Sequence, residues 1–458
     1  MMCIQKRSIK NQNLRLALAL AVFHTVTIVT EANIPTGANR QEHAALCAVI
    51  ALASADLDIT DPTKMDDQSF QAIQNLNFST ADDEWKSSFY KNGDTTKVQE
   101  EATSYHKNFP GYEQSWPVWV AAATAVGAKT KPQEITDSTA DKLSNAARKA
   151  VHGKLKYLAD AAVKLKEQMV SDEDAPADFT VSTQKAALET AIFGQAGATT
   201  ATVAADKAFG AAPHNTRATA CTADGTNGKA KTAAAQLSCV CHKAGNGHTG
   251  VTGACTKAAD GDTAWNDGTS GIADTDLQAI AKTCPSGKGS PITSSRLRAA
   301  VDNVRQLVHQ TSGGAYLGTY LSGTCDGIQA NGVCITFPSY AADAKQSFNK
   351  LGWPTVLETL ATNLDKRISH NIKMTAINTA LQKTKDEAIV AIKGAEAEAL
   401  KLQQQHTRAQ AQNDPTAVSK ALDNKKNECA QHKDNKKACT NAKCKWKGGE
   451  VKTKEIAK

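Results

Sequence analysis

Aromatic side chains are scarce in this sequence: Phe, Trp and Tyr together make up 5% of 458 residues. The motifs that would announce a common chemistry are also missing. There is no Walker A loop, so nothing offers the usual backbone cradle for a nucleotide phosphate. There is no G-x-S-x-G elbow for a nucleophilic serine, no H-E-x-x-H zinc helix and no EF-hand calcium loop. What fills the space is alanine within an ordinary 41% of hydrophobic residues. Alanine is the strongest intrinsic helix former, and small side chains let helices approach closely. The composition therefore points to a mainly α, elongated design.

The net charge of +7 is local. Residues 1–32 hold +3 of it, and residues 411–458, with twelve lysines against six acids, hold +6. The body, 33–410, is left at −2, which argues against nucleic acid as a partner of the main domain. Residues 1–32 read as a secretory signal peptide. Lys6, Arg7, Lys10 and Arg15 form a basic start, Leu14 to Val29 an apolar run, and Thr30-Glu31-Ala32 a cleavage site. Secretion turns the remaining cysteines into disulfide candidates: Cys47, Cys221, Cys239, Cys241, Cys255, Cys284, Cys325, Cys334, Cys429, Cys439 and Cys444. Eight lie between Cys47 and Cys334 and can pair completely, whereas the three in the tail leave one over. The stretch Cys221–Cys334 holds seven of the twelve cysteines, and 194–334 holds 20 of the 29 glycines. This is a stapled, loop-rich lobe set between helical segments.

Taken in order, Asn39 to Ala53 predicts a first helix, with Asn39 as its cap and Glu42 completing a capping box. Cys47 lies inside that helix, so its partner must come from elsewhere, and the later cysteine-rich stretch is the expected source. Residues 60–113 read as polar and irregular and carry one N-glycosylation sequon, Asn77-Phe78-Ser79. A short apolar helix is predicted to start near Pro117, anchored by Trp116, Trp119 and Val120. Residues 138–172 predict a long helix whose seam is Val151, Leu155, Leu158, Ala162, Leu165 and Met169, with Gly153 as a weak point. Residues 194–290 lose the helical period, which returns at Ile292–Val308. A second long helix is predicted from Trp353-Pro354, with a seam Met374, Ile377, Leu381, Thr384, Ala388, Ala391 and Ala395. Two legs of similar length favour antiparallel pairing. Residues 409–428 have the composition of a linker, and 429–458 form a small lysine-rich module that needs its cysteines to fold.

Two local patterns invite chemistry. Gly245-Asn246-Gly247-His248-Thr249-Gly250 matches a dinucleotide fingerprint, but no adequate strand precedes it and Gly253 and Cys255 interrupt any helix after it. Cys239-Val240-Cys241-His242 with His248 suggests zinc, yet the spacing fits no common structural site and secretion favours disulfides. The lysine-rich tail reads as a solvated, stapled module rather than a polybasic membrane segment. The reading is non-catalytic, with no cofactor and no metal.

In this order, several features together carry a resemblance. They are Ala44-Ala45-Leu46-Cys47 soon after a leader and Cys239-Val240-Cys241 in a glycine-rich lobe. Tyr316-Leu317-Gly318-Thr319 follows, ahead of Cys325-Asp326-Gly327 and Gly332-Val333-Cys334. The tail supplies Cys429, Cys439, Cys444, Lys445 and Trp446. The chain resembles the trypanosome variant surface glycoproteins, with a B-type N-terminal domain over 33–408, its lobe at about 194–338, and a partial C-terminal domain. The resemblance implies an elongated antiparallel helix bundle that forms a homodimer, carries a membrane-distal lobe and is held on the plasma membrane by a glycosylphosphatidylinositol anchor. It implies a dense coat that shields the cell surface and evades host antibodies by antigenic variation. The family's fourth tail cysteine and hydrophobic anchor segment do not follow Cys444, so a chain made as written is expected to be secreted or retained. No O-linked site is transferred, because no Ser or Thr lies between Cys325 and Cys334. The alternative is a related helical-bundle receptor for a host serum protein.

Overall fold

The computed structural model describes residues 33–170, 174–245, 249–256, 265, 268, 270–413, 415–432 and 434–445. The signal-peptide reading, His248 and Trp446 fall outside them. The chain is mainly helical, as its composition predicts, with one three-stranded sheet among the described residues. It divides into two compact units: Met1–Ile59 with Ala177–Leu364, and Thr60–Pro176 with Asp365–Lys458.

The first unit is built around the helix Ala233–Cys241, every residue of which is buried. A helix apolar all round belongs in a core. Thr232 caps it by accepting a hydrogen bond from the Ala235 amide. The helix Arg40–Leu52 packs against it and against the helix Ser294–Gln306. On another side lies an antiparallel sheet in the order β1 (His309–Thr311), β2 (Gly314–Tyr320), β3 (Gly332–Phe337). Gly318 pairs with Cys334 and has φ +98°. A Cβ there would stand 2.6 Å from the Val333 carbonyl oxygen and 3.2 Å from a Val240 methyl, so glycine lets helix and sheet meet. The stretch Trp353–Leu364 completes this core through Trp353, Leu357, Leu360 and Ala361.

The second unit is a helical packing. Asn145–Val170 lies antiparallel to the 365–413 portion of the helix Trp353–Asn413. Val151, Leu155 and Leu158 meet Ala388, Ile392, Ala395 and Ala399. Further along, Ala159 and Ala162 meet Met374, Ile377 and Leu381. Most of the seam read from the sequence is buried, but Leu165, Met169 and Thr384 are only half-buried, and Ile392 takes the place expected of Ala391. Polar side chains on the long helix hold the neighbouring loop. Asn371 accepts the Thr63 amide at 2.7 Å and Asn378 the Asp66 amide at 2.8 Å.

Five local expectations are overturned. Residues 194–290 do not lose helix throughout: they contain Ala233–Cys241 and Asp274–Ala281, too short for a period to show in the sequence. Asn39 stands at the N-terminus of its helix but makes no side-chain cap; its amide is used elsewhere, as described below. Residues 60–113 are not simply irregular: they include the helix Asp67–Thr80, whose apolar Phe70, Ile73, Leu76 and Phe78 are diluted by buried Gln74 and Asn75. The apolar helix starts at Tyr112, not Pro117, which lies in its second turn. The polar stretch 409–428 is largely helical, as the end of Trp353–Asn413 and most of Pro415–Gln431. Its charged residues are good helix formers, so a linker composition does not require coil.

Candidate functional site

The cysteine-rich stretch is a network of cross-links. Cys221 joins Cys239, Cys241 joins Cys255, and Cys325 joins Cys334. Two of these bridges leave the last three residues of the buried helix Ala233–Cys241, fastening its C-terminal end to segments that precede and follow it in the sequence. Cys47 joins Cys284 across 237 residues of sequence, so the first helix is tied into the lobe. In the tail, Cys429 joins Cys444, and Cys439 is buried and unpaired.

Asn39 is the residue that sequence reasoning assigned to the wrong task. It is fully buried. Its Nδ2 donates to the carbonyls of Val240 and Val333 at 2.7 Å each. Its Oδ1 accepts from the Thr319 amide at 2.8 Å and the Thr319 hydroxyl at 2.7 Å. One side chain thus joins the buried helix, β2 and β3. An asparagine before a helix looks like a cap in any sequence, and only the tertiary fold distinguishes the two roles.

Arg217 is the second residue the sequence did not single out. It is fully buried, donates through Nη2 to the Cys239 carbonyl at 3.0 Å, and lies 5.0 Å from the Trp265 ring centroid. Burial holds its guanidinium well below the usual value, at about 9, against a smaller opposing effect of Asp326. Gly327, at φ +83°, faces it: a Cβ there would fall 2.1 Å from Nη1.

The residues that suggested metal or nucleotide chemistry are otherwise engaged. Cys239 and Cys241 are both oxidised, and His242 is buried 3.3 Å from Asp276. The fingerprint-like loop lies partly outside the described residues. His43, Cys47 and Cys284 bring ligand atoms within 4.8 Å of one another, but both sulfurs are in a disulfide and offer no thiolate. Burial lowers the His43 pKa, and its Nε2 lies 2.8 Å from the Thr283 hydroxyl.

The second unit holds a groove of about 1310 Å³. The helix Asp67–Thr80 packs against both Tyr112–Gly127 and Asn145–Val170, and residues of all three line it. Asn77, the sequon asparagine, is one of them. Trp85, Trp119, Phe109 and Tyr105 contribute a run of rings, with centroids 5.8, 6.3 and 5.5 Å apart in that order. On Asn145–Val170, Arg148 makes a two-point bond to Asp83 at 2.7 and 3.1 Å. That bond, with Lys86, holds the Asp83 carboxyl down at about 2. No sequence pattern marks this groove, because Asp67–Thr80, which contributes to it, mixes buried polar and apolar residues.

Compared with known families, residues 21–383 match the model described as the trypanosomal VSG domain. The chain is 25% identical over 444 residues to variant surface glycoprotein ILTAT 1.23 of Trypanosoma brucei brucei. That match covers 95% of this chain and 80% of the relative.

Proposed function

We propose that this chain, which belongs to the trypanosomal VSG domain family, shields the parasite membrane sterically and evades host antibody by antigenic variation. As a member of that family it is a cell-surface coat glycoprotein. The observation that carries the finer reading is the family match over 21–383, together with a lobe held by disulfides and a few buried polar nodes. Such a lobe fixes its backbone from within, so its surface residues are free to change without loss of the fold. The mechanism is one of packing and exclusion, with no catalytic step. The partners are a second copy of the chain, forming a homodimer within the coat, and host antibodies. Attachment is through a glycosylphosphatidylinositol anchor; no helix among the described residues is long and apolar enough to cross a membrane. Asn77 carries an N-linked glycan.

The test is expression in living trypanosomes. Antiserum raised against the native protein is expected to label intact cells uniformly and to lose binding when exposed loop residues of 177–364 are exchanged for those of a relative. A single host serum protein that binds saturably and one to one would overturn the coat reading in favour of a receptor.

A further inference from the structure

The groove of the second unit has a volume of about 1310 Å³, above the roughly 300–1,000 Å³ of small-molecule sites. The groove is therefore large enough for a molecule bigger than a metabolite. Its charge is balanced: the lining holds the five bases Arg148, Lys149, Lys156, Lys164 and Lys166 and the five acids Asp82, Asp83, Glu84, Asp160 and Glu167. Burial lowers the His152 pKa. Such a lining gives no reason for a polyanion to bind and suits a neutral, hydroxyl-rich molecule.

The rings supply the other half of the chemistry. Tyr105 and Phe109 are 38% and 36% exposed, and with the half-buried Trp119 and Trp85 they form a run of rings that meet edge to face. The C–H face of a pyranose is apolar and lies flat on such a ring, while its hydroxyls reach polar side chains at the edge. Aromatic faces along one side and long polar side chains along the other match the two characters of an oligosaccharide.

The groove also contains the attachment point. Phe70, Gln74, Asn77 and Ala81 line it from Asp67–Thr80 or its C-terminal end, at spacings of 4, 3 and 4, so Asn77 lies on the face turned to it. Asn77 Oδ1 is buried with no hydrogen-bond partner among the described residues. The sequon's Ser79 is 8% exposed, and its hydroxyl donates to the Leu76 carbonyl at 2.8 Å within the helix. A folded helix cannot present that serine and asparagine together to a transferase, so glycan addition must precede folding of Asp67–Thr80.

We propose that the N-linked glycan of Asn77 is seated in this groove, against the rings of Trp119, Phe109 and Tyr105, and forms part of the folded unit instead of projecting into solvent. The proposal rests on the glycosylation reading above. Tethering at Asn77 makes the docking intramolecular, so weak individual contacts suffice to hold the sugar.

The experiment uses the full chain made in trypanosomes. Peptide mapping with mass spectrometry first establishes whether Asn77 is modified. Release of its glycan by peptide N-glycosidase F is then timed on native and denatured protein. Native release is expected to be at least about tenfold slower, and Trp119→Ala to recover most of that factor. Tyr105→Ala, at an exposed ring, is the companion variant: it should speed native release several-fold while leaving the thermal unfolding curve of the glycan-free protein unchanged. A modified Asn77 whose glycan leaves native and denatured wild type at equal rates overturns the seat alone. Slow native release that neither substitution alters also overturns it. An unmodified Asn77 overturns the glycosylation reading and the seat with it. A dimer that dissociates on Tyr105→Ala, with Asn77 release unchanged, assigns the groove to a second copy of the chain.

Discussion

The lobe-bearing unit and the helical unit reach stability by opposite routes. In the helical unit, many residues of one kind each contribute a little: Val151, Leu155 and Leu158 against Ala388, Ile392 and Ala395 form a repeating apolar seam. In the other, a few residues carry many connections: Asn39 alone ties three elements, and four disulfides fix the loops. A distributed seam weakens gradually when one member is lost, whereas a hub fails at once. The contrast suits a coat protein, because a hub-and-staple interior places few demands on the surface around it.

The largest effect should come from the hub. Asn39→Ala leaves the carbonyls of Val240 and Val333 and the Thr319 amide without their partner inside the core. At roughly 1–3 kcal/mol for each buried group left unpaired, a loss of about 4 kcal/mol is expected. Hydrogen–deuterium exchange should report faster exchange in Ala233–Cys241 and β2. If exchange rises no more there than in Asn145–Val170, the hub account is wrong. In the seam, Leu155→Ala should cost about 3 kcal/mol in urea unfolding, since it removes a side chain that is 1% exposed. The staples rank next. Replacing Cys47 and Cys284 together by alanine frees a 237-residue loop and is expected to cost about 3 kcal/mol or somewhat less. A cost below about 1 kcal/mol would mean that buried polar contacts, and not the cross-link, hold the first helix.

These two routes also explain what was legible in the sequence. A seam is a period, and a period is visible: both legs and most of their buried residues follow from the spacing. Oxidised cysteines are visible by type, and Cys47 inside a helix had to look outside it. Hubs carry no periodic signal. Asn39 sits where an N-cap belongs, so local reasoning gave it a local role. Arg217 lies in a short helix with nothing to mark it as buried, and Gly318 and Gly327 are two glycines among many. The sheet carries little sequence signal because β2 and β3 are short and mostly buried, with no polar alternation. The groove was hidden because Asp67–Thr80 mixes buried Gln74 and Asn75 with its apolar residues, blurring the face that lines it.

A smaller effect is set by pH. Burial pushes the Tyr90 phenol up to about 12, and its hydroxyl donates to the Ala123 carbonyl at 2.9 Å. Its folded pKa exceeds the unfolded value near 10, so its contribution is fully present below about pH 10 and is lost as pH rises towards 12. The phenol is partly solvated, so the loss should be on the order of 1 kcal/mol. Tyr90→Phe should flatten this part of the pH–stability profile. Tyr316 in the other unit is also raised to about 12, by burial first and then by its bond to Tyr320. The flattening should therefore be partial; a profile unchanged by the substitution would place the alkaline sensitivity elsewhere.

The smallest effect has the opposite sign and separates the two units by a single residue type. Gly153 lies on the exposed side of Asn145–Val170, and a Cβ added there meets no atom within 4 Å. Glycine inside a helix costs roughly 0.5–1 kcal/mol relative to alanine, largely through the freedom it gives the unfolded chain. Gly153→Ala should therefore stabilise the protein by about 0.5–1 kcal/mol in urea unfolding. At Gly318 the same substitution should destabilise, because the backbone is left-handed there and the Val333 carbonyl stands 2.6 Å from the added carbon. The helical seam tolerates slack at Gly153 because no neighbour depends on it, whereas the lobe uses Gly318 to let a sheet touch a buried helix. Opposite signs at the two positions would support that distinction, and equal signs would remove it.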